Sequence, residues 1–258
     1  MISVSCTQIK GRGWEGVERT VIEEAPIAIY VNGRELATLM CTPVAVEDLV
    51  IGFLTGEGII AGPEEVVLLR VCVDEGLVNV RLARPDVALP QRRILTSGCS
   101  GGVTFDDLSE GHEPITSSLC VSPARLVELM GLMQRFGPLS GRVKGMHTSA
   151  LSDGEKLLVV AQDVGRHNTI DKIWGECLRR GITTEGRLLL STGRISSEML
   201  SKAAKMRVPL VVSRTSVTSL SVQLAEAWGI TLVGYARGRR MDVYTHPERL
   251  CCSQECQG

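Results

Sequence analysis

From residue 122 onward, short apolar runs alternate with segments of helical spacing, and this alternation limits the possible folds more than any other feature. Apolar runs of four or five residues predict buried strands, and apolar residues recurring every three or four positions predict helices. The predicted strands span 157–161, 188–191, 208–212 and 230–233, and the predicted helices span 123–135, 168–180, 196–206 and 219–228. Strands alternating with helices of this length favour βαβ crossovers. We therefore expect a largely parallel sheet that is covered by helices.

The first part of the chain has a different pattern. Residues 27–31 and 36–41 are β-prone and flank Asn32-Gly33, a strong signal for a hairpin turn. A helix over 46–57 and a second hairpin, formed by 66–73 and 77–82, complete a small α+β unit. The resulting domain prediction is a small α+β domain over 1–104, an α/β domain over 105–248 and a flexible, cysteine-containing tail over 249–258.

Composition excludes several classes of partner. The chain has 258 residues with 28 basic and 29 acidic side chains, so its net charge of -1 favours neither nucleic acid nor an anionic membrane. Aromatic residues make up 3%, which argues against a stacking platform for single-stranded nucleic acid. The first residues lack a signal-peptide pattern, and no apolar run approaches the roughly 18 residues of a membrane helix. We expect a cytoplasmic protein whose nine cysteines are thiols.

Cys99 lies in the run 96–102, among three glycines, two serines and a threonine. Such a run holds neither a helix nor a central strand, so backbone amides and solvent reach the sulfur. This environment favours a thiolate, the reactive form of cysteine, and Arg92 and Arg93 would lower the pKa of the thiol further if the fold brings them near. The alternative is a glycine turn that contains a cysteine without chemistry.

Residues 163–168 follow a predicted strand and precede a predicted helix, where ligands of α/β sheets bind. They offer the carboxylate of Asp163, the guanidinium of Arg166, the imidazole of His167 and the amide of Asn168. Arginine and a helix N-terminus both suit phosphate. The alternative is a capping loop in which Asn168 is the N-cap residue.

A second strand end carries three arginines and a glycine, at Tyr235, Ala236, Arg237, Gly238, Arg239 and Arg240. Arginine geometry matches phosphate or pyrophosphate, glycine permits close approach of the backbone, and Tyr235 offers a ring for stacking on a base or pterin. The alternative is a solvated basic turn. Residues 191–194 and 213–216 add hydroxyls and arginines at two further strand ends. Together the four strand ends predict one anionic ligand at one edge of the sheet.

No metal site is predicted. A zinc deaminase needs H-x-E and P-C-x-x-C, whereas Ser149 stands two positions after His147 and no P-C-x-x-C occurs. We expect His147 to be a hydrogen-bonding or ligand-facing residue. Cys251, Cys252 and Cys256 are closely spaced, but no fourth ligand is near, which favours an oxidation-prone tail over a soft-metal site. Cys41, Cys72 and Cys177 fall in apolar segments and are predicted core residues.

These motifs together resemble the FdhD family, the formate dehydrogenase accessory sulfurtransferases. The resemblance runs through most of the chain and is strongest in 145–150, in 163–168 with Asp171 and Lys172, in 191–196 and in 235–240. It implies a cytidine-deaminase-like three-layer α/β/α domain that carries out no deamination, and a homodimer.

The resemblance also implies an activity. Family members accept persulfide sulfur from a cysteine desulfurase and pass it to the molybdenum (or tungsten) bis-guanine-dinucleotide cofactor, Mo-bis(MGD), before the cofactor is inserted into formate dehydrogenase apoprotein. Cys99 matches the first cysteine of the family's C-x-x-C and is the predicted persulfide carrier, whereas Gly102 stands at the second position. Residues 235–240 match the family's cofactor-binding segment.

Two functions from different classes remain open at this point. The preferred one is the sulfurtransferase just described, and the alternative is a chaperone that binds and delivers bis-MGD without sulfur chemistry. The absence of a second loop cysteine favours the alternative. A degenerate deaminase is disfavoured because the zinc motif is missing.

Overall fold

The computed structural model describes residues 1–87, 94–95, 103–104, 111–136, 145–238 and 240–251. Its mixed α/β composition confirms that part of the fold prediction. Cys99, Arg239, Cys252 and Cys256 lie outside the described residues, as do Arg92 and Arg93. Predictions about their surroundings therefore stay predictions.

An antiparallel hairpin opens the chain. It consists of β1 (Ile2–Lys10) and β2 (Gly13–Val21), which pair with each other. Most of this hairpin is polar and lacks a continuous apolar face, so the sequence gives only a weak signal for it. Ile9 and Trp14, which are paired near the turn, are both exposed.

The small α+β unit has the predicted elements. Its sheet has the order β4-β3-β6-β5 and contains β3 (Ala25–Val31), β4 (Arg34–Cys41), β5 (Val66–Cys72) and β6 (Leu77–Leu82), with α1 (Val46–Gly56) packed against it. Asn32 and Gly33 both have positive φ, 49° and 79°, as a tight hairpin turn requires. Buried Ile27, Leu49 and Phe53 belong to its core. Two short strands follow, β7 (Ile94–Leu95) and β8 (Val103–Thr104), which pair antiparallel and flank Cys99 in sequence.

The larger sheet has six strands in the order β10-β9-β11-β12-β13-β14. They are β9 (His147–Ser152), β10 (Leu157–Asp163), β11 (Leu188–Ser191), β12 (Leu210–Ser213), β13 (Thr231–Arg237) and β14 (Arg240–Thr245). Only the pairs β11–β12 and β12–β13 are parallel, so the prediction of a largely parallel sheet is wrong. Short turns join β9 to β10 and β13 to β14, which forces both pairs to be antiparallel, and β9 also pairs antiparallel with β11.

Helices cover both faces of this sheet. Leu126, Leu129 and Met133 of α2 (Pro123–Arg135) belong to the core on one face. The other face carries α3 (Arg166–Arg180), α4 (Ser197–Lys205) and α5 (Ser219–Ala227), with Ile170, Leu200 and Ala225 in its core. The relation to cytidine deaminases stays a prediction. Helix α3 begins two residues earlier than expected, and its N-cap is Gly165 rather than Asn168.

The small unit packs on the large one through α1 and α3. A Cβ atom added to Gly52 would overlap the carbonyl of Asp171, and one added to Gly175 would overlap the carbonyl of Asp48. The two helices therefore approach to a separation that only glycine permits. The predicted division at residue 104 stays a prediction.

The described end of the chain departs from the predicted tail and from the prediction of nine thiols. Arg249 is buried and donates from Nη2 to the carbonyl of Ile115 at 2.9 Å. Cys251 is buried and forms a disulfide with Cys120, with 5.8 Å between the Cα atoms. The pairing escaped prediction because the two cysteines are 131 residues apart in sequence. Cys41 and Cys177 are core residues as predicted, whereas Cys72 is half-buried.

Two properties of the described residues bear on function. None of their helices is long and apolar enough to cross a membrane. They also contain no group of three or more His, Cys, Asp or Glu side chains that would hold a metal ion.

Candidate functional site

The predicted strand-end motifs lie along one end of the large sheet. Strand β9 begins at His147, which pairs with Asp163 at the end of β10. Ser191, the last residue of β11, pairs with Ser149 on one side and with Ser213, the last residue of β12, on the other. The structure therefore brings these strand ends together, and the anionic ligand predicted there stays a prediction.

Buried hydroxyl groups tie these strand ends to one another. Ser149 Oγ lies 2.7 Å from Thr169 Oγ1 and 3.0 Å from Ser191 Oγ. Ser213 Oγ donates to the carbonyl of Gly193 at 2.7 Å. Because they are buried and bonded internally, these hydroxyls form the floor of the site rather than its binding surface.

Asp163 is fully buried and bonded to the small domain. Its carboxylate accepts hydrogen bonds from the backbone N–H of Thr42 at 3.1 Å, from Asn168 Nδ2 at 2.8 Å and from Lys172 Nζ at 2.6 Å. Lys172 Nζ also donates to the carbonyl of Thr42 at 3.0 Å, and Asn168 Nδ2 donates to the carbonyl of Met40 at 2.9 Å. We call Asp163, Asn168, Lys172 and Thr42 the domain clamp.

The domain clamp corrects the prediction that 163–168 offers a carboxylate and an amide to a ligand. The donors around Asp163 already occupy the hydrogen-bonding positions of its carboxylate, so none is left for a ligand. These donors also stabilise the charge of the buried carboxylate. Sequence analysis missed this role because Thr42, the partner, is 121 residues away.

Arg166 and His147 lie next to the clamp, where His147 pairs with Asp163 across β9 and β10. A Cβ atom added to Gly193 would lie 3.0 Å from Arg166 Cβ and 3.2 Å from His147 Nδ1, so these three residues are in contact. Burial lowers the pKa of His147, and the positive charge of Arg166 lowers it further. At neutral pH the imidazole is therefore uncharged and Arg166 supplies the positive charge of this cluster.

His167 is bonded to the start of α4. Its Nε2 lies 3.3 Å from Ser196 Oγ and 3.6 Å from Glu198 Oε2. Hydrogen bonds from His167 and then from Ser196 lower the pKa of Glu198 to about 2, whereas burial lowers the pKa of His167. The imidazole predicted to face a ligand instead connects α3 to the loop that precedes α4.

A third polar group, beneath α1, is also buried. Lys202 Nζ contacts both carboxylate oxygens of Asp171, at 2.6 and 2.7 Å, and lies 4.0 Å from Glu57 of the small domain. Burial raises the pKa of Asp171 to about 6. Asp171 and Lys172, adjacent in sequence, therefore both bring α3 against the small domain.

The segment 235–240 differs from these groups because most of its described residues are exposed to solvent. It is the end of β13 and the start of β14 rather than a loop after the last strand, which corrects the predicted secondary structure. Tyr235 has φ 50° and is 40% exposed, and Arg237 and Arg240 are exposed. Ala236 is buried, and Gly238 has φ 56° in the turn.

Two grooves flank Arg237. The first, here called the α2 groove, has a volume of about 420 Å³ and lies between α2 and the turn, with Gln134, Arg214 and Gly238 among its lining residues. The second, here called the β14 groove, has a volume of about 360 Å³ and is lined by Tyr235, Arg237, Arg240 and Asp242. Arg237 Nε donates to the carbonyl of Arg214 at 2.8 Å, which fixes the side chain between the grooves.

The described cysteines differ in reactivity. Burial raises the pKa of Cys41 and of Cys177 to about 12, so both thiols are inert at neutral pH. Cys120 and Cys251 are bonded to each other, and Cys6 is exposed on the N-terminal hairpin. The predicted carrier Cys99 is outside the described residues.

Comparison with known proteins decides the family. The model of the FdhD/NarQ family matches residues 22–251, which include the domain clamp and the 235–240 segment. The chain belongs to the FdhD/NarQ family. A Bacillus subtilis protein named sulfur carrier protein FdhD is 40% identical over 243 residues, which is 91% of each chain. A Shouchella clausii protein of the same name is 35% identical over 242 residues, again 91% of each chain.

A solved structure gives the same assignment. The crystal structure of a formate dehydrogenase accessory protein from Desulfotalea psychrophila has a TM-score of 0.80 and 30% sequence identity with this FdhD/NarQ chain. The match covers 97% of this chain and 99% of the other. The resemblance stated from the sequence motifs is thereby confirmed.

Proposed function

We propose that this chain is the sulfur carrier required for formate dehydrogenase activity. It accepts persulfide sulfur on Cys99 from a cysteine desulfurase and transfers it to the molybdenum or tungsten of bis-MGD before the cofactor enters formate dehydrogenase. The names of the relatives support sulfur carriage, and the description of the solved structure supports formate dehydrogenase as the client. A homodimer and a cytoplasmic location stay predictions.

The proposed first step is a thiol–persulfide exchange at Cys99. The thiolate attacks the terminal sulfur of the donor's persulfide, a bond forms between those two sulfurs, and the donor's own S–S bond breaks. The donor cysteine leaves as a thiolate, and Cys99 becomes the persulfide. Since the described buried thiols of Cys41 and Cys177 have raised pKa values, neither competes with Cys99 for this role.

The observation that carries the cofactor half of the proposal is the exposed cluster beside the two grooves. Tyr235, Arg237 and Arg240 face solvent at the same sheet edge where other polar groups are bonded internally. Each guanine dinucleotide of bis-MGD has a pyrophosphate, which arginine binds well, and a base, on which tyrosine stacks. We propose Tyr235, Ala236, Arg237, Gly238, Arg239 and Arg240 as the cofactor-binding segment.

The alternative is a delivery chaperone that binds bis-MGD without sulfur transfer. Gly102 favours it, because a transfer that needs a second loop thiol would fail. Both proposals share the cofactor segment, so they are separated by the chemistry of Cys99 alone.

Mass analysis of the Cys99 peptide separates the two. The full chain is incubated with a cysteine desulfurase and cysteine, and we expect the peptide to gain the mass of one sulfur. Cys99→Ser should abolish the gain and formate dehydrogenase maturation, with a stability change within roughly 0.5 kcal/mol. Cys6→Ser, which removes an exposed thiol elsewhere, is the matched control and should load normally. An unmodified Cys99 peptide, under conditions that load a control acceptor, favours the chaperone.

A further inference from the structure

The β14 groove has a chemical composition that a simple phosphate site would not have. It is lined by an aromatic ring, two guanidinium groups and one carboxylate, from Tyr235, Arg237, Arg240 and Asp242. A carboxylate repels phosphate, so its presence beside two arginines points to a ligand with an anionic part and a separate part rich in hydrogen-bond donors.

Asp242 is positioned to accept hydrogen bonds from such a ligand. It pairs with Gly234 in the β13–β14 ladder, and its side chain is 37% exposed. Arg240 approaches a single oxygen, Oδ1, from Nε at 3.4 Å and from Nη2 at 3.5 Å. These are long distances for charge-assisted bonds. Within the described part of the chain, Oδ2 accepts no hydrogen bond, so most of the accepting capacity of this groove-lining carboxylate is unused.

Tyr235 adds a rigid ring to the same groove. Its φ of 50° is uncommon for an aromatic residue and strains the backbone. The backbone N–H of Tyr235 donates to the carbonyl of Thr215 at 2.8 Å, which holds the residue in this conformation. Strain retained at an exposed aromatic residue is typical of a binding site, and an exposed ring is a stacking surface for a planar base.

We infer that Asp242 is the residue that selects guanine in this groove, an inference that rests on the proposed binding of a guanine dinucleotide. The Watson–Crick edge of guanine carries two donors, N1–H and the 2-amino group, which a carboxylate accepts together. Adenine presents the lone pair of N1 at the corresponding position, which a carboxylate repels. Tyr235 stacks on the base, Arg240 orients the carboxylate through Oδ1, and Arg237 binds the diphosphate.

The test replaces a hydrogen-bond donor with an acceptor on the nucleotide base, and an acceptor with a donor on the side chain of residue 242. Calorimetry of the full chain with GDP, ADP and xanthosine diphosphate measures affinity for each nucleotide. Xanthine replaces the 2-amino donor with a carbonyl acceptor, which the amide of Asp242→Asn would satisfy. We expect the wild type to bind GDP in preference to the others. In Asp242→Asn, GDP should bind about tenfold or more weakly and xanthosine diphosphate about tenfold or more tightly.

A matched control variant and two contrary outcomes test whether the effect belongs to Asp242. Asp74→Asn makes the same chemical change at an exposed carboxylate of the small domain and should leave all affinities unchanged. Equal wild-type affinity for GDP and ADP, or an unchanged preference in Asp242→Asn, would overturn the inference while leaving cofactor binding intact. A wild type that binds no nucleoside diphosphate would overturn both, and loading of Cys99 would still report on sulfur transfer separately.

Discussion

Two arginine-containing strand ends of the large domain look alike in sequence but make different contacts. At 163–168, the carboxylate of Asp163 is fully buried, and backbone and side-chain donors surround it. At 235–240, the side chains of Tyr235 and Arg237 are exposed beside two grooves. The difference teaches that a polar motif at a strand end indicates a ligand site only where its polar groups are not already hydrogen-bonded to other parts of the protein.

The comparison makes the largest prediction for the domain clamp. Lys172→Met removes the cation from a buried carboxylate and leaves Asp163 with an uncompensated charge. We expect the free energy of unfolding to fall by about 3–5 kcal/mol, measured by urea denaturation. Arg180→Met breaks an exposed ion pair with Glu176 on the same helix and should change the free energy of unfolding by less than about 0.5 kcal/mol. Equal effects of the two variants would show that the clamp is not structural.

At the exposed strand end, substitution should weaken ligand binding and leave stability nearly unchanged. Arg237→Ala is expected to weaken GDP binding by about 1.5–3 kcal/mol, the usual value of a hydrogen bond to a charged group, and Arg239→Ala by a similar amount. Because the side chain of Arg237 is exposed, stability should change by no more than about 0.5 kcal/mol. Calorimetry and urea denaturation on the same samples separate the two effects. Unweakened GDP binding would mean that 235–240 is a solvated basic turn.

A pH titration sharpens the comparison at Glu198. Its pKa in the folded chain is about 2, below the ordinary 4.5, so its ionised form stabilises the fold. That contribution is complete above pH 4.5 and is lost as the pH falls through 2. We expect the wild type to lose about 1–3 kcal/mol over this range relative to Glu198→Gln, measured by denaturation at each pH. Parallel curves for the two proteins would exclude a stabilising role for the ionised carboxylate.

Salt should produce the smallest effect. Raising the salt concentration from about 0.05 to 0.5 M screens the exposed arginines and should weaken GDP binding severalfold. The buried Asp163–Lys172 pair is screened much less, so the stability difference between wild type and Lys172→Met should hardly change. Salt-independent GDP binding would place the anion in a buried site instead.

Sequence periodicity predicted the strands and helices that lie in the apolar cores. It failed at β9 and β14, because the sequences of both strands mix polar and apolar residues and their pairing depends on a neighbouring hairpin strand. Residue types predicted a site at the strand ends, since arginines and hydroxyls cluster there. They did not separate Asp163 from Asp242, because one partner of Asp163, Thr42, comes from the small α+β unit and only the folded chain brings the two together.

Long-range contacts could not be predicted from the sequence either, because they form only in the folded chain. The contact of Gly52 with the backbone of α3 gives no local signal, because a glycine within a helical pattern has many explanations. The Cys120–Cys251 disulfide joins residues from the two ends of the large domain. Family resemblance, by contrast, predicted a cofactor segment from contiguous motifs and required no knowledge of contacts.

The Cys120–Cys251 disulfide has a mechanical consequence. All six strands of the large sheet lie within the 131-residue loop that it closes. When the molecule is pulled by its two ends, force passes through the S–S bond and bypasses this loop. Reduction would therefore add on the order of 450 Å to the extended length of the unfolded chain. The oxidised protein can therefore be fully unfolded while the distance between its ends stays short. A pore through which a motor pulls this chain must be wide enough for two segments of chain at once.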